Sequence, residues 1–531
     1  MFEDEIDNLQ RVREILGKMM DAGFTEIVDR TGLREKLPFG KKFFRDGDYS
    51  PGPVRLREVF EDLGPTFIKL GQMLAQRPDI IPESYVEEME KLEEDVEPVD
   101  TGEIKKIIEE SLGRGVEEVF ESFEETPEAS ASIAQVHKAL LDGEEVAVKV
   151  VKPGVRKTIL TDLRILSILF REIEDTFSSL KKYHLEDMFD QFRNWTRNEI
   201  DLRKEAENME TVSSNFSKDR YVYIPEVCWE ETSRDVLTME FIEGARMEAG
   251  ELEDAGHVPE DIAEKGIELV LDMVLRDGMF HGDPHPSNMR VDEEGRIVLF
   301  DFGIVGRIDR RTRQKLSVVL LYALEQDVDG VLRALKDIAD FENVEDEEEF
   351  RRDIEKTIMK NPESRIGNNL VSMDFLEIVR KGASNGIVFP TNLVSGGKSL
   401  VQAEGLGMKI CPDFKPFETV RKKIRRILIR ENSPLSLGRG LAASLVENRE
   451  LIENAPRHVM EVLESLKSVN KLSLEEPINF SSKDIAVAIF GSVVLLSGSL
   501  TLSLAGNPYV RLLGLGEILA GIVIGWFILT E

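Results

Sequence analysis

The sequence predicts an α+β fold of two lobes, with a helical extension ahead of them and an apolar helical hairpin behind. Three observations carry that expectation. Residues 1–125 repeat apolar positions at helical spacing, the pattern changes to alternation across an Asp-Gly turn from about Glu128, and the last fifty residues hold two long apolar runs. The boundaries that follow are 1–125 for the extension, 126–245 for a strand-rich lobe, 246–475 for a mainly helical lobe with its own extension, and 484–530 for the hairpin.

Composition narrows the function before any motif does. A length of 531 residues allows two or three domains, and 68 basic against 101 acidic residues leave a net charge of −33. A general nucleic-acid binder needs a basic face to displace counterions, so nucleic acid is not expected as a partner. Cys228 and Cys411 lie far apart without CxxC or Cys/His spacing, which indicates neither a disulfide framework nor a zinc site and fits a reducing compartment. The acidic start, MFEDEIDNLQ, lacks the basic-then-apolar order of a secretory signal, so most of the chain is expected in the cytoplasm.

In chain order, Ile6, Leu9, Val12, Ile15 and Leu16 mark the first helical stripe. The stretch LGPTFIKLGQ, residues 63–72, opens with a Gly-Pro start signal and sets Lys69 and Gln72 three apart on one face, with Gly71 permitting close backbone approach. On periodicity alone this is an ordinary amphipathic helix. Residues 129–139 and 145–151 form a hairpin about Asp142-Gly143, and Lys149 ends its VAVK run. A lysine there either snorkels at a strand edge or meets nucleotide phosphates. Residues 198–208 supply Glu199, Asp201, Glu205 and Glu207 on helix, with Glu205 the candidate partner of Lys149. Residues 236–242 read as a buried strand, including Glu240 and Ile242, running into a Glu243-Gly244 hinge whose backbone would meet adenine. An apolar helix over 260–280 and charged helices over 315–470, punctuated by Gly near 395–397 and 405–407, complete the second lobe.

The chemistry is placed in HGDPHPSNMRVDEEGRIVLFDFG, residues 281–303. Asp283 and Asn288 stand five apart on a loop that prolines keep from becoming helix, and a short strand, 296–300, ends at Asp301-Phe302-Gly303. Together they bring Asp283, Asn288 and Asp301 around one nucleotide and metal site. Asp283 would orient or deprotonate the accepting hydroxyl or water, while Asn288 and Asp301 would hold Mg²⁺ on the phosphates of ATP. A lone DFG is a polar turn after a strand; DFG downstream of HGDxxxxN and VAVK is far more specific and predicts a bilobal protein-kinase-like fold. After Gly303 a helical pattern resumes almost at once, without a long activation segment, an Ala-Pro-Glu or an Arg before Asp283. A platform for protein substrates is therefore missing, and protein kinase activity in trans is not expected.

Residues 485–506 form an uncharged run of 22, enough as a helix of about 33 Å to span a ~30 Å hydrocarbon core. Asn507-Pro508 is a turn, and residues 512–529 form a second run interrupted by Glu517 near one end. The expectation is a membrane hairpin with both ends on the side of the ATP-using domain, hence a cell-membrane protein with that domain in the cytoplasm. A buried helical pair is the alternative. Gly521 and Gly525 make a GxxxG that suits close helix packing or a homodimer.

With these residues in place the chain resembles the UbiB family of atypical kinases, the ADCK-type proteins linked to quinone and isoprenoid-lipid metabolism, over residues 10–310 and more loosely in the hairpin. The resemblance rests on PTFIKLGQ (KxGQ motif), residues 129–139 (alanine-rich nucleotide loop), Glu199-Ile200-Asp201 (ExD motif), and HGDPHPSN with Asp301. It implies that the helix of Lys69 and Gln72 folds over the active site and forms, with Glu199 and Asp201, a family-specific cap. It implies nucleotide contacts from Ala129, Ser130, Ala131, Ser132, Ile133, Ala134, Gln135 and Val136, a Lys149–Glu205 ion pair, Asp283 as the catalytic Asp, and Asn288 and Asp301 as magnesium ligands. Glu128-Ala129-Ser130 departs from the usual alanine run, and Ser287 replaces a common Gly. The function expected is Mg-ATP hydrolysis or phosphoryl transfer at a membrane in support of quinone or isoprenoid-lipid biosynthesis, with a membrane lipid or polyprenyl or quinone precursor and lipid-biosynthetic enzymes as partners. A nucleotide-gated scaffold that organises such enzymes is the second reading, favoured by the stiff Ala/Ser loop and the occluding Lys69 helix.

Overall fold

The computed structural model describes residues 2–21, 23, 52–75, 81–92, 96–177, 185–282, 286–303, 305–342, 344, 346–359 and 371–431. The hairpin expected over 484–530 lies outside these residues, and so does Asp283. Contacts divide the chain into Met1–Leu428 and Ile429–Glu531; the elements below belong to the first unit, apart from the end of the closing helix. The extension is helical as its periodicity predicts: α1 (Phe2–Asp21), α2 (Pro53–Leu63), α3 (Pro65–Ala75), α4 (Glu83–Met89) and α5 (Thr101–Leu112). α3 starts on Pro65, whose fixed φ and missing N–H suit a first helical position. It buries Phe67, Ile68, Leu70 and Met73, and also Lys69. Gly71 is where α3 meets its neighbours: a Cβ there would lie 2.9 Å from Phe60 Cδ2 of α2, 3.1 Å from Met89 Sδ of α4, and on top of Leu92.

The first lobe is an antiparallel sheet of β1 (Ser122–Phe123), β2 (Ala129–Ser130), β3 (Ala134–Leu141) and β4 (Glu144–Val151), closed by a later strand. Between come α6 (Val155–Thr176), α7 (Leu185–Glu199), α8 (Leu202–Phe216) and the short β5 (Val222–Tyr223), before β6 (Val236–Glu240). The order is β1-β3-β4-β6, with β2 also on β3. Asp142 and Gly143 sit at φ 52° and 83°, the left-handed pair that a two-residue hairpin turn needs. The alternation expected through 129–139 is broken, because residues 131–133 leave the sheet as a loop between β2 and β3. Along β4 the period of two puts Val146, Val148 and Val150 in a core with Ile104 and Ile108 of α5, each worth about 1.5–3 kcal/mol of burial. Lys149 consequently faces the other side of the sheet.

In the second lobe α9 (Pro259–Leu271) ends earlier than the sequence predicts, in a π-helical turn over Asp272–Asp277, and gives way to β7 (Met279–His281). β8 (Met289–Val291), β9 (Ile297–Leu299) and β10 (Val305–Arg307) follow, then helices α10 (Arg310–Glu325), α11 (Val328–Lys336), α12 (Glu347–Ile358), α13 (Val371–Ser384), α14 (Thr391–Ile410) and α15 (Pro416–Glu431). β7 pairs with β10 and β8 with β9, His281 opposite Val305 and Met289 opposite Leu299. The His281 and Phe302 rings stand 6.0 Å apart, so the end of β7 and the turn at Asp301 meet. Among the described residues, no helix is long and apolar enough to cross a membrane.

Candidate active site

A cavity of about 580 Å³ has the β2–β4 face as one wall and Asn288, Phe300 and Asp301 on another. Of the expected nucleotide-loop residues, Ala129, Ser130, Ala131, Ala134 and Val136 line it; Ser132, Ile133 and Gln135 do not. Gln135 is fully buried and turned toward Val99, accepting its N–H at 2.9 Å and donating to its C=O at 3.3 Å. Glu240 and Ile242 border the cavity with the rest of the segment to Gly244, as the hinge reading expects.

Lys149 organises the interior. Its Nζ donates to Glu205 Oε1 at 2.7 Å and lies 3.4 Å from Asp301 Oδ2. Asp301 Oδ1 accepts the Gly303 N–H at 2.8 Å. Burial alone would raise the Asp301 pKa, but the Lys149 ammonium, His281, the Gly303 N–H and Lys69 outweigh it and hold the carboxyl well below its usual range. Burial likewise opposes the charge on Lys149, and the charges of Asp301 and Glu205 overcome it. Glu205, 1% exposed, is pushed upward by burial against the pull of Lys149. The centre therefore holds a fixed cation beside a fixed anion.

The helix expected across residues 198–208 is broken. α7 ends at Glu199, Asp201 stands at the N-cap position of α8, and the Leu202 N–H goes to the Arg234 C=O at 3.0 Å. The break lets Glu199 and Glu205 approach the centre from two helices. Glu199 pairs with Lys69 of α3 and packs against Gly303, whose Cβ would lie 3.2 Å from Glu199 Cγ. The Lys69 helix is thus joined through Glu199 to the Gly303 turn beside Asp301, while Gln72 is half-buried and Asp201 lies 3.4 Å from Arg234.

Three features were not legible from spacing. Asn208 Nδ2 donates to the Phe302 C=O at 3.1 Å, so α8 grips the Asp301-Phe302-Gly303 turn with a second residue. Arg290 lines the cavity because β8 alternates, burying Met289 and Val291 on the opposite face; that period was the available signal. Asp162, fully buried on α6, takes two hydrogen bonds from Arg11, at 2.8 and 2.9 Å, and one from Thr66 Oγ1 at 2.8 Å, which fastens the start of α3. Nothing in a single sequence signals so distant a network.

Among the described residues no cluster of three or more His, Cys, Asp or Glu is placed to hold a metal. Asn288 and the ionised, partly exposed Asp301 nevertheless offer two hard oxygen donors on one cavity. That set fits magnesium, which commonly takes one or two protein ligands and completes its shell with water and phosphate oxygens.

A family profile described as ABC1 atypical kinase-like domain matches residues 91–335. The chain is 34% identical over 451 residues to a probable protein kinase UbiB of Cellvibrio japonicus, covering 83% of this chain and 81% of that one. It is 36% identical over 285 residues to the chloroplastic protein Activity of BC1 complex kinase 8 of Arabidopsis thaliana, covering 53% of this chain and 38% of the relative. The solved complex of Rv3197 with erythromycin from Mycobacterium tuberculosis aligns over 67% of this chain and 95% of that one, at 24% identity and a TM-score of 0.44.

Proposed function

The chain belongs to the UbiB family of atypical kinase-like proteins, and on that premise we propose that it is a membrane-anchored kinase or ATPase using Mg-ATP to support quinone or isoprenoid-lipid biosynthesis. The observation that carries this reading is Lys149 held between Glu205 and Asp301 in a cavity shared with Asn288. Lys149, kept charged and aimed by Glu205, binds phosphate oxygens. The backbone from Glu240 to Gly244 meets the adenine, and the loop from Ala129 to Val136 covers the phosphates. Asn288 and Asp301 would hold Mg²⁺, which when bound draws negative charge off the phosphates. Asp283 orients or deprotonates the accepting hydroxyl or water.

With α3 over the side on which a protein substrate would dock, as the family resemblance implies, the acceptor would be a membrane lipid, a polyprenyl or quinone precursor, or water. Residues 484–530 anchor the chain in the cell membrane with the kinase-like domain in the cytoplasm, and their GxxxG suits a homodimer. Cells lacking the protein should show an altered lipid and quinone profile that wild type restores and Asp301→Asn does not. Full restoration by Asp301→Asn would overturn the enzymatic reading. It would favour a nucleotide-gated scaffold for lipid-biosynthetic enzymes, a reading supported by the Lys69–Glu199 pair standing beside Asp301.

A further inference from the structure

Two consecutive residues of α14 reach two separate parts of the site. Lys398 Nζ donates to the C=O of Ala75, the last residue of α3, at 2.8 Å, and to Glu90 Oε1 at 2.9 Å. Ser399 Oγ donates to the C=O of His281 at 3.0 Å, with Ser395 O, one turn back, at 3.1 Å. His281 ends β7 and stands two positions before Asp283. Successive residues on a helix diverge by about 100°, so α14 directs one side chain to the cap and the next to the strand that feeds the catalytic loop.

Both contacts are of a kind that holds position. The last carbonyls of a helix have no partner within it, and a lysine placed there satisfies one and complements the helix dipole. The Lys398 side chain is 13% exposed, so it is largely held against these partners. The helix behind it has little freedom: a Cβ on Gly397 would fall 2.6 Å from Phe375 Cε1 of α13, and one on Gly396 3.0 Å from Ile308 Cδ1. At its other end α3 is fastened through Thr66 to Asp162 of α6, and at its middle through Lys69 to Glu199. The cap helix is thus tied to the first lobe at its start and to the second at its end.

We infer that Lys398 is a positioning residue that locks the end of the cap helix to the second lobe, while its neighbour Ser399 holds the end of β7 at His281 from the same rigid helix. The functional part of this inference rests on the Mg-ATP reading above; the lock itself does not. Release of Lys398 frees the end of α3 and loosens the Lys69–Glu199 contact.

The test uses the full chain in lipid vesicles, with hydrogen exchange of residues 65–75 and 279–282, Mg-ATP turnover, and autophosphorylation from radiolabelled ATP. Lys398→Met should raise exchange over 65–75 about tenfold and change turnover or autophosphorylation about fivefold or more. Lys398→Arg, which keeps a donor and a charge, should restore both toward wild type. In exchange over 65–75 the Lys69→Ala, Lys398→Met double variant should rise no further than the larger single variant, because both release one helix. Ser399→Ala should leave exchange over 65–75 as in wild type while lowering kcat with KM unchanged. Lys398→Gln carries the same comparison if the methionine variant does not fold. Wild-type exchange over 65–75 in Lys398→Met, or strictly additive rises in that exchange in the double variant, would overturn the lock; an unchanged kcat in Ser399→Ala would overturn the hold on β7. If wild type shows no turnover or autophosphorylation, the Mg-ATP reading fails, while exchange over 65–75 still decides the lock.

Discussion

Lys69 brings a positive charge to carboxylates that otherwise suit a metal ion. It is 5% exposed, paired with Glu199 and near enough to help keep Asp301 ionised. Its removal leaves two neighbouring carboxylates less compensated, which favours a divalent cation. Lys69→Ala should therefore tighten Mg²⁺-ADP binding by about tenfold, a change of some 1.4 kcal/mol, and permit autophosphorylation. Isothermal titration and radiolabelled ATP measure both, and wild-type values in each would make Lys69 an ordinary helix residue. Spacing within α3 gave no hint of this burial, since the partner Glu199 lies in another helix far along the chain. Lys149 was more legible: VAVK in an alternating hairpin fixes which face it takes, although Glu205 as its partner came from the kinase-type motifs around it and not from periodicity.

α3 and α14 show what an element gains from close packing. Gly71→Ala puts a methyl against Phe60, Met89 and Leu92, and overpacking of this kind costs about 1–3 kcal/mol. Denaturant unfolding should show that loss, and hydrogen exchange should rise over 65–75; wild-type stability would mean that α3 shifts freely. Glu404 of α14 is 1% exposed, accepts hydrogen bonds from the Ser372 hydroxyl and N–H at 2.9 and 3.3 Å, and is pushed up by burial to about 8. The folded state then holds a proton that the unfolded state releases near 4.5, so stability falls as pH rises from 4.5 to about 8, by about 1.4 kcal/mol per unit. Glu404→Gln should remove that slope and be more stable than wild type at pH 8.5; parallel curves for the two proteins from pH 6 to 8.5 would contradict it. Element types were largely readable from period and turn chemistry, as at Asp142-Gly143 and Gly64-Pro65. The α7–α8 break and the π-turn were not, because continuous helical patterns run through both. The break is imposed by tertiary contacts, with Ile200 and Leu202 buried in the core and the Leu202 N–H committed to Arg234.

At the scale of the molecule, the site is assembled from pieces that are distant in sequence. The extension supplies Lys69, the helices after the hairpin supply Glu199 and Glu205, and the second lobe supplies Asn288 and Asp301. Motif spacing identified Asn288 and Asp301 because phosphate and magnesium chemistry demands particular residue types on particular turns, whereas Lys69 and Glu199 came from the family resemblance. It did not reveal that α3 is fastened to both lobes, which depends on Thr66 meeting Asp162 and Lys398 meeting Ala75 across long separations. On the proposed function, the ionised Asp301 beside Lys149 serves Mg-ATP chemistry. The most direct test is ATP turnover by the full chain in lipid vesicles with Mg²⁺, comparing wild type with Asp301→Asn. Turnover by wild type and a loss of at least about a hundredfold in the variant is the predicted result; equal turnover by the two proteins would contradict it.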